Sequence, residues 1–217
     1  MMRLSLSPAP GSPLRVLCLG AHCDDIEIGC GGTVLRLIEE HPGAEFHWVV
    51  FTSDETRRAE AQACAEAFLA GAARKEIRIL GLRDGYLPDA WGEVKDRFEQ
   101  MKPGFKPDLV LTHYRHDLHQ DHRVVSELTW NTYRDHLVLE YEIPKYDGDM
   151  GVPNSFVPLR QDLVDRKIKA ILEGYPTQAG RQWFMEDTFR SLLRLRGMEC
   201  NSPSRHAEAF HCRKAVL

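Results

Sequence analysis

Short apolar runs alternate along this chain with longer stretches whose apolar positions recur at helical spacing, and Gly or Pro punctuates most of the changes. Residues 15–20 read as a first strand and 28–40 as a helix that stops before His41-Pro42-Gly43. A second strand over 46–52 is rich in Val and aromatic residues, and 55–70 form an Ala-rich helix ended by Gly71. The same pattern predicts a short strand at 77–80, a helix at 90–101 before Pro103-Gly104, a strand at 109–112, a helix at 119–134 and a strand at 137–142. Strands separated by helices predict an α/β chain with a mostly parallel sheet and helices on both faces.

Beyond residue 142 the rhythm loosens. Residues 143–155 carry several Pro and Gly and form an irregular excursion, either a lid that brings Tyr146 and Asp147 over a substrate or a surface loop. Residues 156–159 read as a further strand, and 162–173 and 183–195 as helices. Phe184, Phe189, Leu192 and Leu193 fit a core, whereas Trp183 fits either a core or a platform for a sugar ring. Residues 1–13 read as a flexible N-terminal tail ahead of one domain over 14–217.

Composition narrows the classes. A formal net charge of −4 leaves no basic footprint for nucleic acid, and no stretch is long and apolar enough to span a bilayer. The cysteines, at 18, 23, 30, 64, 200 and 212, do not form a compact disulfide framework. Small buried thiols in a reduced, cytoplasmic protein fit them better.

The first expected strand ends at Gly20 and hands over to Ala21-His22-Cys23-Asp24-Asp25. One imidazole and two adjacent carboxylates at the end of a buried strand call for a cation, and His with Asp suits zinc or a similar divalent metal. His22 and Asp25 can fold back on one another across a tight turn, leaving Asp24 as a free carboxylate. The rival account makes Asp24 and Asp25 caps of the following helix, which leaves His22 without a role. The glycines of Gly29-Cys30-Gly31-Gly32 come after the turn, so close helix packing accounts for them better than a dinucleotide-binding loop.

A second cluster follows the strand at 109–112. Residues 113–122 hold His113, His116, His119 and His122, with Asp121 between the last two. His119 and His122 share a face at a helix start, so one can complete a metal site while the other stands over its open position. Asp121 is placed to orient an imidazole. Ligands of open parallel sheets gather at the carboxyl ends of the strands, which puts both clusters on one rim. Arg57, or Arg58 in its place, lies on that rim as well; it reads either as a substrate contact or as a solvated charge paired with Glu60.

These segments resemble the PIG-L (LmbE-like) N-acetylglucosaminyl deacetylases, zinc-dependent enzymes that remove acyl groups from amino sugars and related glycosides. The matching residues are Ala21 to Asp25, Glu27 to Thr33 and His119-Gln120-Asp121-His122. Weaker matches occur at Arg57 with Glu60, over 169–178 and over 206–210. Cys23 stands where proline is usual, which removes a stiffening residue and adds a thiol that can compete as a ligand. The resemblance implies a Rossmann-like three-layer fold and one Zn2+ per chain on His22, Asp25 and His122, although iron, manganese and cobalt suit the same donors. It further implies Asp24 as general base, His119 as the assisting group and Arg57 as a substrate contact; His119, oriented by Asp121, is the candidate partner of the oxyanion and general acid for the departing amine. The expected activity is hydrolysis of an N-acyl, chiefly N-acetyl, group on a small amino sugar or glycoside, in a chain that is free to form a homo-oligomer. Two rivals stand beside it: a zinc amidase for a non-sugar or thiol-conjugate amide, and a non-catalytic carbohydrate- or nucleotide-sugar-binding protein with a structural metal.

Overall fold

A computed structural model of the chain describes residues 5–216, so the first four residues of the expected tail lie outside the described residues. The elements run β1 (Arg15–Gly20), α1 (Asp25–Glu40), β2 (Glu45–Thr52), α2 (Glu55–Phe68), β3 (Arg74–Leu82), α3 (Trp91–Met101), β4 (Leu109–His113), α4 (Gln120–Thr132) and β5 (Leu137–Tyr141). Then follow β6 (Ser155–Pro158), α5 (Gln161–Gly174), α6 (Glu186–Glu199) and β7 (Ala207–Cys212). One sheet takes the order β3-β2-β1-β4-β5-β7-β6. β1 to β5 pair in parallel, and β7 lies antiparallel between β5 and β6. This is the expected mostly parallel α/β sheet of Rossmann-like order.

The two faces of the sheet follow from alternation along its strands. Val16 and Cys18 of β1, with Trp48 and Val50 of β2, face the core under α1, α2, α5 and α6, where Ile26, Phe68, Ile168 and Phe189 pack. Leu17 and Leu19, with Val49 and Phe51, face the opposite core under α3 and α4, with Phe98 and Leu128. Because successive side chains serve opposite cores, the central strands are apolar throughout, as a sheet covered on both faces requires.

The structure departs from the sequence pattern at several places; α1 starts at Asp25, three residues before the expected 28. β3 reaches Arg74, beyond the expected 77–80, because it is an edge strand whose charged residues face solvent. α6 starts at Glu186, after Trp183, whose ring packs edge-on against Phe184 beside the first core. β7 was not expected at all, since Ala207-Glu208-Ala209 lacks the β-branched residues of a strand. Its Glu208 is buried because Lys167 of α5 meets it at 2.6 Å and the N–H groups of Gly32 and Thr33 donate to it. The Lys167 ammonium also donates to Ile28 O at 2.6 Å, so the pair fastens α1, α5 and β7 together. Gly29 permits an equally close approach: a Cβ there would lie 2.2 Å from Cδ2 of Tyr141 on β5. That is the helix-to-sheet packing role expected of these glycines.

The sheet order changes direction between β1 and β4: α1 leaves on one face and α4 on the other. Between these two strands the carboxyl ends open a crevice, and both His/Asp clusters start there.

Candidate active site

The β1 loop is a tight turn made by its own residues. His22 N–H donates to Asp25 Oδ2 at 2.6 Å, and Ile28 N–H donates to Asp24 O at 2.9 Å as α1 begins. Asp24 takes φ 121°, a left-handed conformation that a non-glycine residue avoids unless its surroundings hold it there. Its side chain makes no capping bond to α1, which excludes the helix-cap account for Asp24. The Asp24 carboxylate instead receives Arg57 Nη2 at 3.0 Å.

Two ring nitrogens and one carboxylate from the two loops converge, the carboxylate through both of its oxygens. His22 Nδ1 lies 3.1 Å from His122 Nε2 and 3.3 Å from Asp25 Oδ2, and His122 Nε2 lies 3.5 Å from Asp25 Oδ1. The outer nitrogens fix the tautomers. His122 Nδ1 donates to Asp117 Oδ2 at 2.9 Å, so its Nε2 presents a lone pair inward. His22 Nε2 faces Asp84 Oδ1 at 3.1 Å and Asp121 Oδ2 at 3.2 Å, so a proton belongs there, and Nδ1 faces inward. Two imidazole nitrogens and a carboxylate this close together, with the outer nitrogens held by carboxylates, form a donor set that fits a divalent ion of the zinc type.

His113 is the next nearest imidazole. Its Nε2 lies 3.2 Å from Asp25 Oδ2, but the N–H of Ala21 donates to the same nitrogen at 2.9 Å. With its lone pair held by the backbone, His113 supports the β1 turn; its ring stacks on His122 with centroids 3.9 Å apart.

Burial opposes charge on His22, yet Asp25, Asp121 and Asp84 outweigh it and hold its pKa well above the ordinary value. His122 is pushed down to about 3 by burial, with His113 adding to the effect. Burial would raise Asp25, but the surrounding imidazoles hold it well below the carboxylate range. Asp24 behaves oppositely: burial pushes it up to about 7, with Arg57 pulling it partly back and Asp25 raising it further.

His119 caps α4, its Nδ1 accepting the N–H of Asp121 at 3.2 Å, which leaves Nε2–H as a free donor. A ring nitrogen of His119 lies within 4.8 Å of ring nitrogens of His22 and His122. Burial, and then the charge of His22, lower its pKa. Asp121 departs from its expected task. Only its backbone meets His119; its carboxylate holds His22 Nε2 and accepts the N–H groups of Gly85 at 2.7 Å and Leu87 at 3.1 Å. The carboxylate of a residue at the helix start points past its own cap, toward the β3 loop.

Arg57 sits on the same rim, as expected, but protein groups hold most of its fork. Nη2 also reaches Cys23 O, Nη1 reaches Thr177 Oγ1 at 3.3 Å, and Glu60 Oε2 lies 4.0 Å away. Cys23 points away from the convergent atoms, its thiol meeting Thr52 O at 3.4 Å, and burial pushes its pKa up to about 12, so it does not compete as a ligand. Asp84, Asp117 and His113 were not singled out as site residues by the sequence. Asp84-Gly85 after an expected strand on the ligand rim was the signal for the first, and Asp117 lay inside the histidine cluster.

The family model described as GlcNAc-PI de-N-acetylase (PIG-L) matches residues 17–133, more than half of the chain. Among solved structures, a conserved protein from Thermus thermophilus is 21% identical with a TM-score of 0.71, over 94% of this chain and 96% of that one. The N,N'-diacetylchitobiose deacetylase from Pyrococcus horikoshii is 23% identical with a TM-score of 0.66, over 91% and 83%. GalB, the 4-carboxy-2-hydroxymuconate hydratase of Pseudomonas putida, is 18% identical with a TM-score of 0.71, over 94% and 98%. The likeness to these structures shows a shared fold, and the matched model, which spans both His/Asp clusters, shows that the chain belongs to the PIG-L family of de-N-acetylases.

Proposed function

We propose that the chain is a zinc-dependent hydrolase that removes an N-acetyl group from a small amino sugar or glycoside. The observation that carries this reading is the convergence of His22 Nδ1, Asp25 and His122 Nε2 beside Asp24, a buried carboxylate outside that set. His22, Asp25 and His122 would hold the divalent ion, which when bound would polarise an amide carbonyl and lower the pKa of water toward about 7. Asp24 then takes the proton of the attacking water as the new C–O bond forms, a role suited to a group near neutrality. Arg57 holds Asp24 for this, and a sugar hydroxyl or phosphate replaces one of its protein contacts when substrate binds. His119 Nε2–H donates to the carbonyl oxygen as charge develops there. With the Nε2 proton of His119, the general acid expected from the sequence, engaged on that oxygen, Asp24 returns its proton to the nitrogen as the C–N bond breaks, releasing acetate and a free amine.

The fold by itself does not choose this reaction, because a hydratase shares it. Six free cysteines support a reducing, cytoplasmic setting, and among the described residues no helix is long and apolar enough to cross a membrane. The test is acetate release from a panel of N-acetylated amino sugars against simple and thiol-conjugate amides. Release confined to the sugars supports the reading, release confined to the others favours the amidase, and no release from any of them favours a binding protein.

A further inference from the structure

One lysine ties the excursion between β5 and β6 to the convergent site. Lys145 Nζ donates to Asp117 Oδ2 at 2.8 Å and to Asp149 Oδ1 at 2.7 Å, with Ile143 O at 3.5 Å. The three side chains are only 13%, 3% and 5% exposed. Each carboxylate holds the loop after β4. Asp117 Oδ2 takes His122 Nδ1–H at 2.9 Å and Asp117 Oδ1 takes the N–H of His119 at 2.8 Å. Asp149 Oδ2 takes the N–H of Leu118 at 2.6 Å.

An imidazole ligand turns about its own side-chain bonds until its second nitrogen is held, and the group that holds it also fixes the tautomer. For His122 that group is Asp117. Asp117 Oδ2 is shared between the His122 proton and the Lys145 ammonium, and two buried carboxylates flank this one cation. Without the ammonium, Asp117 and Asp149 keep only N–H donors of the β4 loop in a poorly solvated place, and separation of the two loops relieves their charge. We propose that Lys145 is a positioning residue of the ion site, and that residues 143–155 act through it as a brace that aims His122. This rests on the metal reading given under Proposed function.

The test compares Lys145→Met, Lys145→Gln and Lys145→Arg with the unaltered protein by zinc affinity, measured in chelator competition on folded protein. Exchange of the His122 Nδ1–H proton in the zinc-loaded protein is followed by NMR. The expected result is zinc binding weaker by about 10–100-fold in Lys145→Met, with faster exchange of that proton. Lys145→Gln, which keeps a donor for Asp117 and is the milder change if the Met variant does not fold, shows a smaller loss in the same direction. Lys145→Arg restores most of the affinity. Zinc affinity within twofold of the unaltered protein in the Met and Gln variants overturns the proposal, whatever happens to the melting temperature, because a purely structural lysine lowers stability without touching the bound ion. Failure of the unaltered protein to bind any divalent ion overturns the metal reading and this proposal with it, and is seen without any variant.

Discussion

The loops after β1 and β4 bring their side chains to one point by different means. In the first, the backbone does the aiming: His22 N–H closes on Asp25, and Asp24 is held at φ 121° so that neighbouring carboxylates point to different partners. In the second, carboxylates do it: Asp117 holds His122 through Nδ1, and Asp117 itself depends on Lys145 from a segment far along the chain. A loop set by its backbone delivers groups over four residues, and Asp84, Asp121 and Arg57 from other loops then hold their outer atoms. A loop aimed by side chains can be tuned from a distance, and is also easier to mis-aim.

Substitutions separate the two. Asp24→Asn keeps the shape of the β1 turn and removes the base, so kcat falls by about 10²–10⁴-fold while zinc content stays at one per chain. Loss of zinc along with activity would mean that the turn, and not the proton transfer, depends on Asp24. In the β4 loop, Asp117→Asn weakens zinc binding by about 10–100-fold, read by chelator competition. The Asp117 carboxyl is also held below its usual range: burial opposes this, but His122, His113 and Lys145 outweigh it. A carboxyl with a depressed folded-state pKa contributes stability that is complete above about pH 4 and is lost as pH falls through the folded value. The unaltered and Asp117→Asn proteins therefore differ most in urea midpoint at neutral pH and converge in acid. Divergence toward acid would contradict the assignment of Asp117 as an ionised partner. The smallest effect lies beneath both loops. Gly29→Ala forces a methyl into the Tyr141 ring and costs about 1–3 kcal/mol in urea unfolding, with zinc affinity unchanged in the folded fraction.

The same contrast explains what the sequence discloses. The central strands are apolar on both faces, so β1, β2, β4 and β5 and the helices between them are legible from periodicity. Asp24, Asp25 and His22 are legible because their geometry is local. β7 is hidden because a buried Glu208 interrupts its apolar pattern, and only Lys167, distant in sequence, makes that burial tolerable. The partner of Asp121 is hidden for a similar reason: adjacency to His119 in sequence suggests a pair, whereas the helix start turns the carboxylate toward His22 and the Gly85 loop. Residues 143–155 read as a loop from composition, but their bond to Asp117 is a tertiary fact that no spacing records.

Metal analysis of freshly purified protein, repeated on His22→Ala, His122→Ala and Asp24→Asn, tests the shared ion most directly. One divalent ion per chain is expected in the unaltered and Asp24→Asn proteins, with near-complete loss in either histidine variant. An unaltered chain without metal after exposure to zinc, or a His122→Ala protein that retains a full equivalent, would contradict a single ion held by both loops.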